Sequence, residues 1–220
     1  MVNIFLYNVS NISALEKALS AERLSTYQAA TATPEAALRL YAWNTAASAA
    51  LYGPLQALEV TVRNAFHQAL APIYGMDWYD NPRAGLTPVA CVRVAEAKQK
   101  LRAGGKPVAP PRIIAELSFG FWERLLARGP RGNQNYETTL WRPALYRAFP
   151  YARRPRSEVH KPFPSLRDLR NRIAHHEPIF ARQLADDYQI ILEVIGWMSP
   201  EIHDWVIHQS QVPAILATRP

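Results

Sequence analysis

The stretch Leu166-Arg167-Asp168-Leu169-Arg170-Asn171-Arg172-Ile173-Ala174-His175-His176-Glu177-Pro178 carries most of the reading of this chain. At about 100° per residue, Leu166, Leu169 and Ile173 form one apolar stripe, so the segment reads as a helix with one face against a core. Arg167, Asn171 and His175 follow one another along a second side. Arg170 and His176 flank the stripe, which predicts an outward His175 and a partly buried His176. Pro178 ends the helix, because it offers no backbone donor and disfavours helical geometry in the residue before it. The segment thus sets arginines, an amide and two histidines at a helix end. A guanidinium neutralises phosphate through a planar fork of donors, and an imidazole exchanges protons near neutral pH.

Outward from this segment, helical periodicity continues. Ile12 to Ala30 reads as one amphipathic helix. Thr33-Pro34 marks an N-cap and first turn, followed by an alanine- and leucine-rich run to Tyr74, with a kink or short break expected at Gly53-Pro54 and a stop at Gly75. Trp78 to Pro88 has turn chemistry. Further helices are expected from Thr87-Pro88 to about Arg102, over Arg112–Ala127, Tyr136–Phe149, Ser165–His176, Pro178–Trp197 and Pro200–His208. Pro150 to Pro164 reads as a proline- and arginine-rich connection. No period-two strand stands out, so the fold class is all-α, a helical bundle with short loops in a single domain over residues 1–220.

Composition narrows the function classes. With 49% hydrophobic and 20% charged residues, the chain reads as an ordinary globular protein. No apolar run approaches the length of a membrane span, so no membrane partner is expected. Met1–Tyr7 is apolar but too short, and without the basic flank, for a signal peptide. The single Cys91 excludes an intrachain disulfide and a cysteine zinc cage; it reads as a small buried residue in a reducing, cytoplasmic setting. The net charge of +7 points to a polyanionic partner. Arg153, Arg154, Arg156, Lys161, Arg167, Arg170, Arg172 and Arg182 lie together in sequence against Glu158, Asp168 and Glu177. Lys161, Arg167 and Arg172 are the candidates to hold an RNA backbone, beside the plainer reading of a solvated surface.

Glu59, Arg63 and His67 recur every fourth residue and share a helix face. They read either as a salt-bridge ladder or as support for Arg170, with Glu59 holding the arginine in place. The tryptophans read mainly as core; stacking on a base is open to Trp78 or Tyr79 in principle. Other motifs fail. Gly104-Gly105-Lys106 lacks the earlier glycine of a phosphate loop, and Pro107 stands where Ser or Thr belongs; Phe180 stands where a zinc protease helix needs its second histidine. No cofactor and no metal ligand set is expected.

On a straight helix, Arg170 and His175 lie roughly 140° apart. Two such helices about a two-fold axis would present both groups to one shared cleft, which makes a homodimer the economical hypothesis.

Arg170, followed by Asn171 and separated from His175 by four residues in all, resembles the signature of the HEPN-superfamily ribonucleases. The wider block Arg-Asn-Arg-Ile-Ala-His-His-Glu-Pro-Ile-Phe, from Arg170 to Phe180, resembles the Abi-like branch, proteins of abortive phage infection. So do Leu58–His67, Leu117–Trp122 and Leu140–Leu145. The resemblance implies a HEPN-like bundle that dimerises through its motif-bearing helices. It implies a metal-independent endoribonuclease acting as a toxin in phage defence, and an antitoxin or other defence-system partner. His175 would serve as general base or acid, Arg170 would stabilise the crowded phosphate, and Asn171 would orient the histidine or hold a phosphate oxygen. The expected ends are a 2′,3′-cyclic phosphate and a 5′-hydroxyl. The family spacing also admits His176 as the base. Glu177 stands where relatives modified by a nucleotidyltransferase antitoxin carry tyrosine, so that modification is not expected. A non-catalytic RNA- or nucleotide-binding helical module and a purely structural dimer are the rival readings.

Overall fold

The computed structural model describes residues 5–220. The first four residues of the apolar start Met1–Tyr7 lie outside the described residues. The elements are α1 (Val9–Leu19), α2 (Ala21–Ala29), α3 (Pro34–Tyr74), α4 (Pro88–Ala103), α5 (Pro110–Glu116), α6 (Phe119–Leu126), α7 (Arg156–His160), α8 (Phe163–Ala174), α9 (Leu184–Met198), α10 (Pro200–Gln209) and α11 (Val212–Leu216). No strand occurs among the described residues. The chain is all-helical, as its periodicity predicts. Among the described residues, no helix is long and apolar enough to cross a membrane.

The axis of the fold is α3, 41 residues and about 60 Å long at 1.5 Å per residue. Thr33 caps it, accepting the Ala36 N–H at 3.1 Å, and Gly75, at φ +93°, ends it. The helix passes through Gly53-Pro54 without a break. Pro54 removes one helical hydrogen bond, but Leu51, Pro54, Leu55 and Leu58 are all buried here, and that packing keeps the helix in register. Around α3 lie α2, α6, α8, α9, α10 and α11. The buried side chains form one contiguous cluster.

Several expected helices are divided. Ser20, at φ +69°, splits Ile12–Ala30 into α1 and α2. Leu117-Ser118 adopts extended backbone and separates α5 from α6. Tyr136–Phe149 is not a regular helix: it forms a π turn at Glu137–Trp141 and a 3₁₀ turn at Leu145–Ala148, on either side of Pro143, which cannot donate to a helical ladder. Pro178–Gln183 is irregular, and α9 begins only at Leu184.

Burial also corrects single residues. Cys91 is exposed rather than buried. Trp78 and Tyr79 are buried, at 0% and 4% exposure, which removes them as base-stacking platforms. Trp205, by contrast, is exposed.

Candidate functional site

The end of α8 is built by short-range chemistry. His175 closes the helix, its N–H donating to the Asn171 carbonyl at 2.9 Å. His176 then turns to φ +57°. Its N–H donates to the Ile173 carbonyl at 3.1 Å, and the Glu177 N–H to the Arg172 carbonyl at 2.8 Å. These two bonds make a Schellman motif, with histidine at the left-handed position that glycine usually occupies. A β-carbon costs about 1–2 kcal/mol there.

Four side chains hold this strained turn. Asn44, buried inside α3, accepts the N–H groups of Ile179 at 2.8 Å and Phe180 at 3.0 Å. Arg172 donates to the Pro178 carbonyl at 3.0 Å. From α2, Arg23 donates to the His176 carbonyl, and Tyr27 packs on Phe180 with ring centroids 5.1 Å apart. Sequence reasoning did not find Asn44 or Arg23. An asparagine within a long alanine-rich helix is a weak signal of a buried cap, and Arg23 meets its partner 153 residues away.

Between α3 and α8 runs a groove of about 730 Å³. Glu59, Arg63, Arg170 and His176 line it, along with Tyr52 and Gln56. Arg170 Nε donates to Glu59 Oε2 at 3.2 Å. Arg63 forms no ion pair among the described residues. The groove therefore combines a guanidinium held by a carboxylate, a second guanidinium without one, and an exposed imidazole.

The remaining candidates lie elsewhere. His175 is exposed but does not line the groove. The positive φ swings His176 out of the helical register, so the expectation that His176 packs at the apolar edge gives way to an exposed side chain at the groove. Asn171 is exposed, on the flank of α8 away from Arg170, beside Arg167 in a separate cleft. His67 points to the core side: its Nδ1 accepts the Trp78 Nε1–H at 3.2 Å, and burial lowers its pKa. Glu59, Arg63 and His67 thus form no ladder of mutual pairs.

Much of the basic segment is paired internally. Arg154 meets Glu193, Arg156 meets Glu137, Arg167 meets Glu123, Arg172 meets Asp168, and Arg182 grips both Asp168 and the buried Asp187. Lys161 is exposed at the end of α7. Glu123 is buried at 4% exposure and binds His160 at 2.9 Å and Arg167 at 2.6 Å. Burial raises its pKa, but the His160 hydrogen bond and the Arg167 charge outweigh burial and hold the carboxyl below its ordinary range.

Among the described residues, no group of three His, Cys, Asp or Glu side chains is placed to hold a metal ion. Comparison with protein-family models, with curated proteins and with solved structures finds no match to this chain.

Proposed function

We propose that the chain is a metal-independent endoribonuclease whose reacting groups are Arg170 and His176 in the α3–α8 groove. The observation that carries this reading is the meeting of four groups from distant sequence in one open groove: Arg170, its carboxylate partner Glu59, Arg63 and a strained, solvent-facing His176. Backbone strain maintained by surrounding contacts is common at working sites. His176 takes the proton of a ribose 2′-hydroxyl or returns one to the leaving 5′-oxygen. Arg170 stabilises the charge on the crowded phosphate, and Glu59 fixes the direction of its fork. The products are a 2′,3′-cyclic phosphate and a 5′-hydroxyl. Support for a HEPN-like, Abi-like protein acting in phage defence, as a homodimer joined through α8, comes from the sequence blocks described above. In that dimer a second α8 brings His175 of the other copy toward the same phosphate.

The test is cleavage of total RNA by the purified protein in EDTA, with mapping of the new ends. Arg170→Ala should slow cleavage by about 10²–10³-fold, and His176→Ala by about 10²–10⁴-fold. Glu59→Gln should slow it less, without unfolding the chain. Loss with His175→Ala alone would move the base to His175. Inactivation by chelator, reversed by magnesium, would overturn the mechanism. RNA binding without any turnover would favour the non-catalytic module.

A further inference from the structure

A second cavity adjoins the Arg170 groove. It measures about 500 Å³ and lies between α3 and α10. Ala49, Gln56 and Val60 line both spaces, so the two form one continuous surface along α3. No residue of α8 lines the second cavity. Small residues of α3 make room for it, Ala50, Gly53 and Ala57 among them. A β-carbon at Gly53 would meet nothing within 4 Å.

Its chemistry differs from that of the groove. Among the described residues, no charged side chain lines it. Pro54 and Val206 supply buried apolar lining. Trp205 borders it and stays 56% exposed. Leaving so large an apolar ring in water forgoes burial that would stabilise the fold. Gln56, Gln209 and Gln211 also line the cavity, all exposed, and their amides make no hydrogen bond among the described residues.

We propose that the α3–α10 cavity is a nucleobase subsite for single-stranded RNA: one unpaired base stacks on Trp205, its edge toward the glutamine amides, and the strand's phosphates continue into the neighbouring groove to Arg63 and Arg170. The inference rests on the reading of that groove as an RNA site. An uncharged, flat base matches an uncharged cavity with an open indole face. The amides offer both donors and acceptors to a base edge. The guanidiniums next door offer the charge that a phosphate backbone needs. From Gln56 to Arg63, α3 rises about 10 Å, a reach of a few nucleotides at most. A duplex keeps its bases stacked and paired, so it presents none to this site.

The test uses a strand that cannot be cut. A short fluorescein-labelled 2′-O-methyl RNA lacks the attacking hydroxyl, and its fluorescence anisotropy with the full chain reads binding alone. The single strand should bind more tightly than the same strand in a duplex. Trp205→Ala should weaken it by about 5- to 100-fold, and Trp205→Phe should keep most of the affinity. Unlabelled strand should quench indole fluorescence in the wild type and not in Trp205→Phe. The slope of log affinity against log salt should be unchanged in Trp205→Ala and shallower by about 0.7 in Arg63→Ala. Equal affinity in Trp205→Ala, equally tight duplex binding, or undiminished quenching in Trp205→Phe would overturn the proposal. Conversion of dimer to monomer by Trp205→Ala in analytical ultracentrifugation, with RNA affinity unchanged, would give the face to a second copy and overturn it too. The two readings fail separately. Cleavage of total RNA by the wild type, with strand binding indifferent to Trp205, overturns the subsite alone. Strand binding that needs Trp205, with no cleavage by the wild type, overturns the ribonuclease alone.

Discussion

His176 holds a backbone conformation that glycine would hold without strain, and this sets stability against chemistry at one residue. Glycine relieves the β-carbon clash at the left-handed position but removes the imidazole. His176→Gly should therefore raise the free energy of unfolding by about 1 kcal/mol, read by chemical denaturation, and also abolish RNA cleavage. A less stable His176→Gly protein would show that the imidazole makes structural contacts that outweigh the strain. Arg170 shows the complementary case. Its polar partner, Glu59, lies 111 residues earlier, and the sequence suggests that pairing only as one of two readings. The geometry that separates them is the approach of α8 to α3.

At the scale of elements, the decisive join is between α3 and the loop after α8. Asn44 is nearly sealed from solvent, and its side-chain oxygen satisfies two backbone donors that also lie in the interior. Two buried donors without an acceptor are costly. Asn44→Ala should destabilise the fold by about 2–4 kcal/mol and loosen the turn at His176, which hydrogen exchange at Ile179 and Phe180 would detect. Unchanged protection at those two amides would show that Arg172, Arg23 and the Tyr27–Phe180 contact suffice. Helix boundaries follow the same logic. Thr33-Pro34, Thr87-Pro88 and Gly75 were legible because caps and stops are local chemistry. The breaks at Ser20 and Leu117-Ser118 were not: Ser20 takes a positive φ that serine seldom adopts, and Leu117-Ser118 takes an extended backbone that leucine and serine tolerate alongside helix, with neighbours choosing between them.

Across the whole molecule, the positive charge is less available than the composition implies. Six of the eight cations between Arg153 and Arg182 (Arg154, Arg156, Arg167, Arg170, Arg172 and Arg182) meet carboxylates. The segment works largely as internal cross-bracing. That predicts acid sensitivity. Glu123 and Glu137 both have folded pKa values below the ordinary carboxylate value. Each contributes stability that is fully present above the unfolded carboxylate pKa and is lost as pH falls through the folded value, because the unfolded state then binds more protons. His67 adds to the loss at milder pH: its folded pKa is depressed by burial, so stability declines as pH falls from the unfolded imidazole value towards the folded one. Thermal melting should therefore weaken in two stages, the first as pH falls below the ordinary imidazole value, the second in the carboxylate range. Glu123→Gln should flatten the second stage and His67→Gln the first. Melting curves of Glu123→Gln that still track the wild type in acid would refute the assignment.

The sequence by itself determined the helical class, the caps of the longest helices, and the concentration of arginine and histidine at the end of α8. Hydrophobic periodicity, capping side chains and proline act over a few residues, so they can be read along the chain. Tertiary structure alone decided which side chains share a space. It brought Arg170, Glu59, Arg63 and His176 to one groove, sent Asn171 and Arg167 to another, turned His67 inward, and paired most of the arginines. Those outcomes depend on how α3, α6 and α8 pack and on one residue of positive φ, and neither helix packing nor a left-handed turn at histidine is encoded in local spacing.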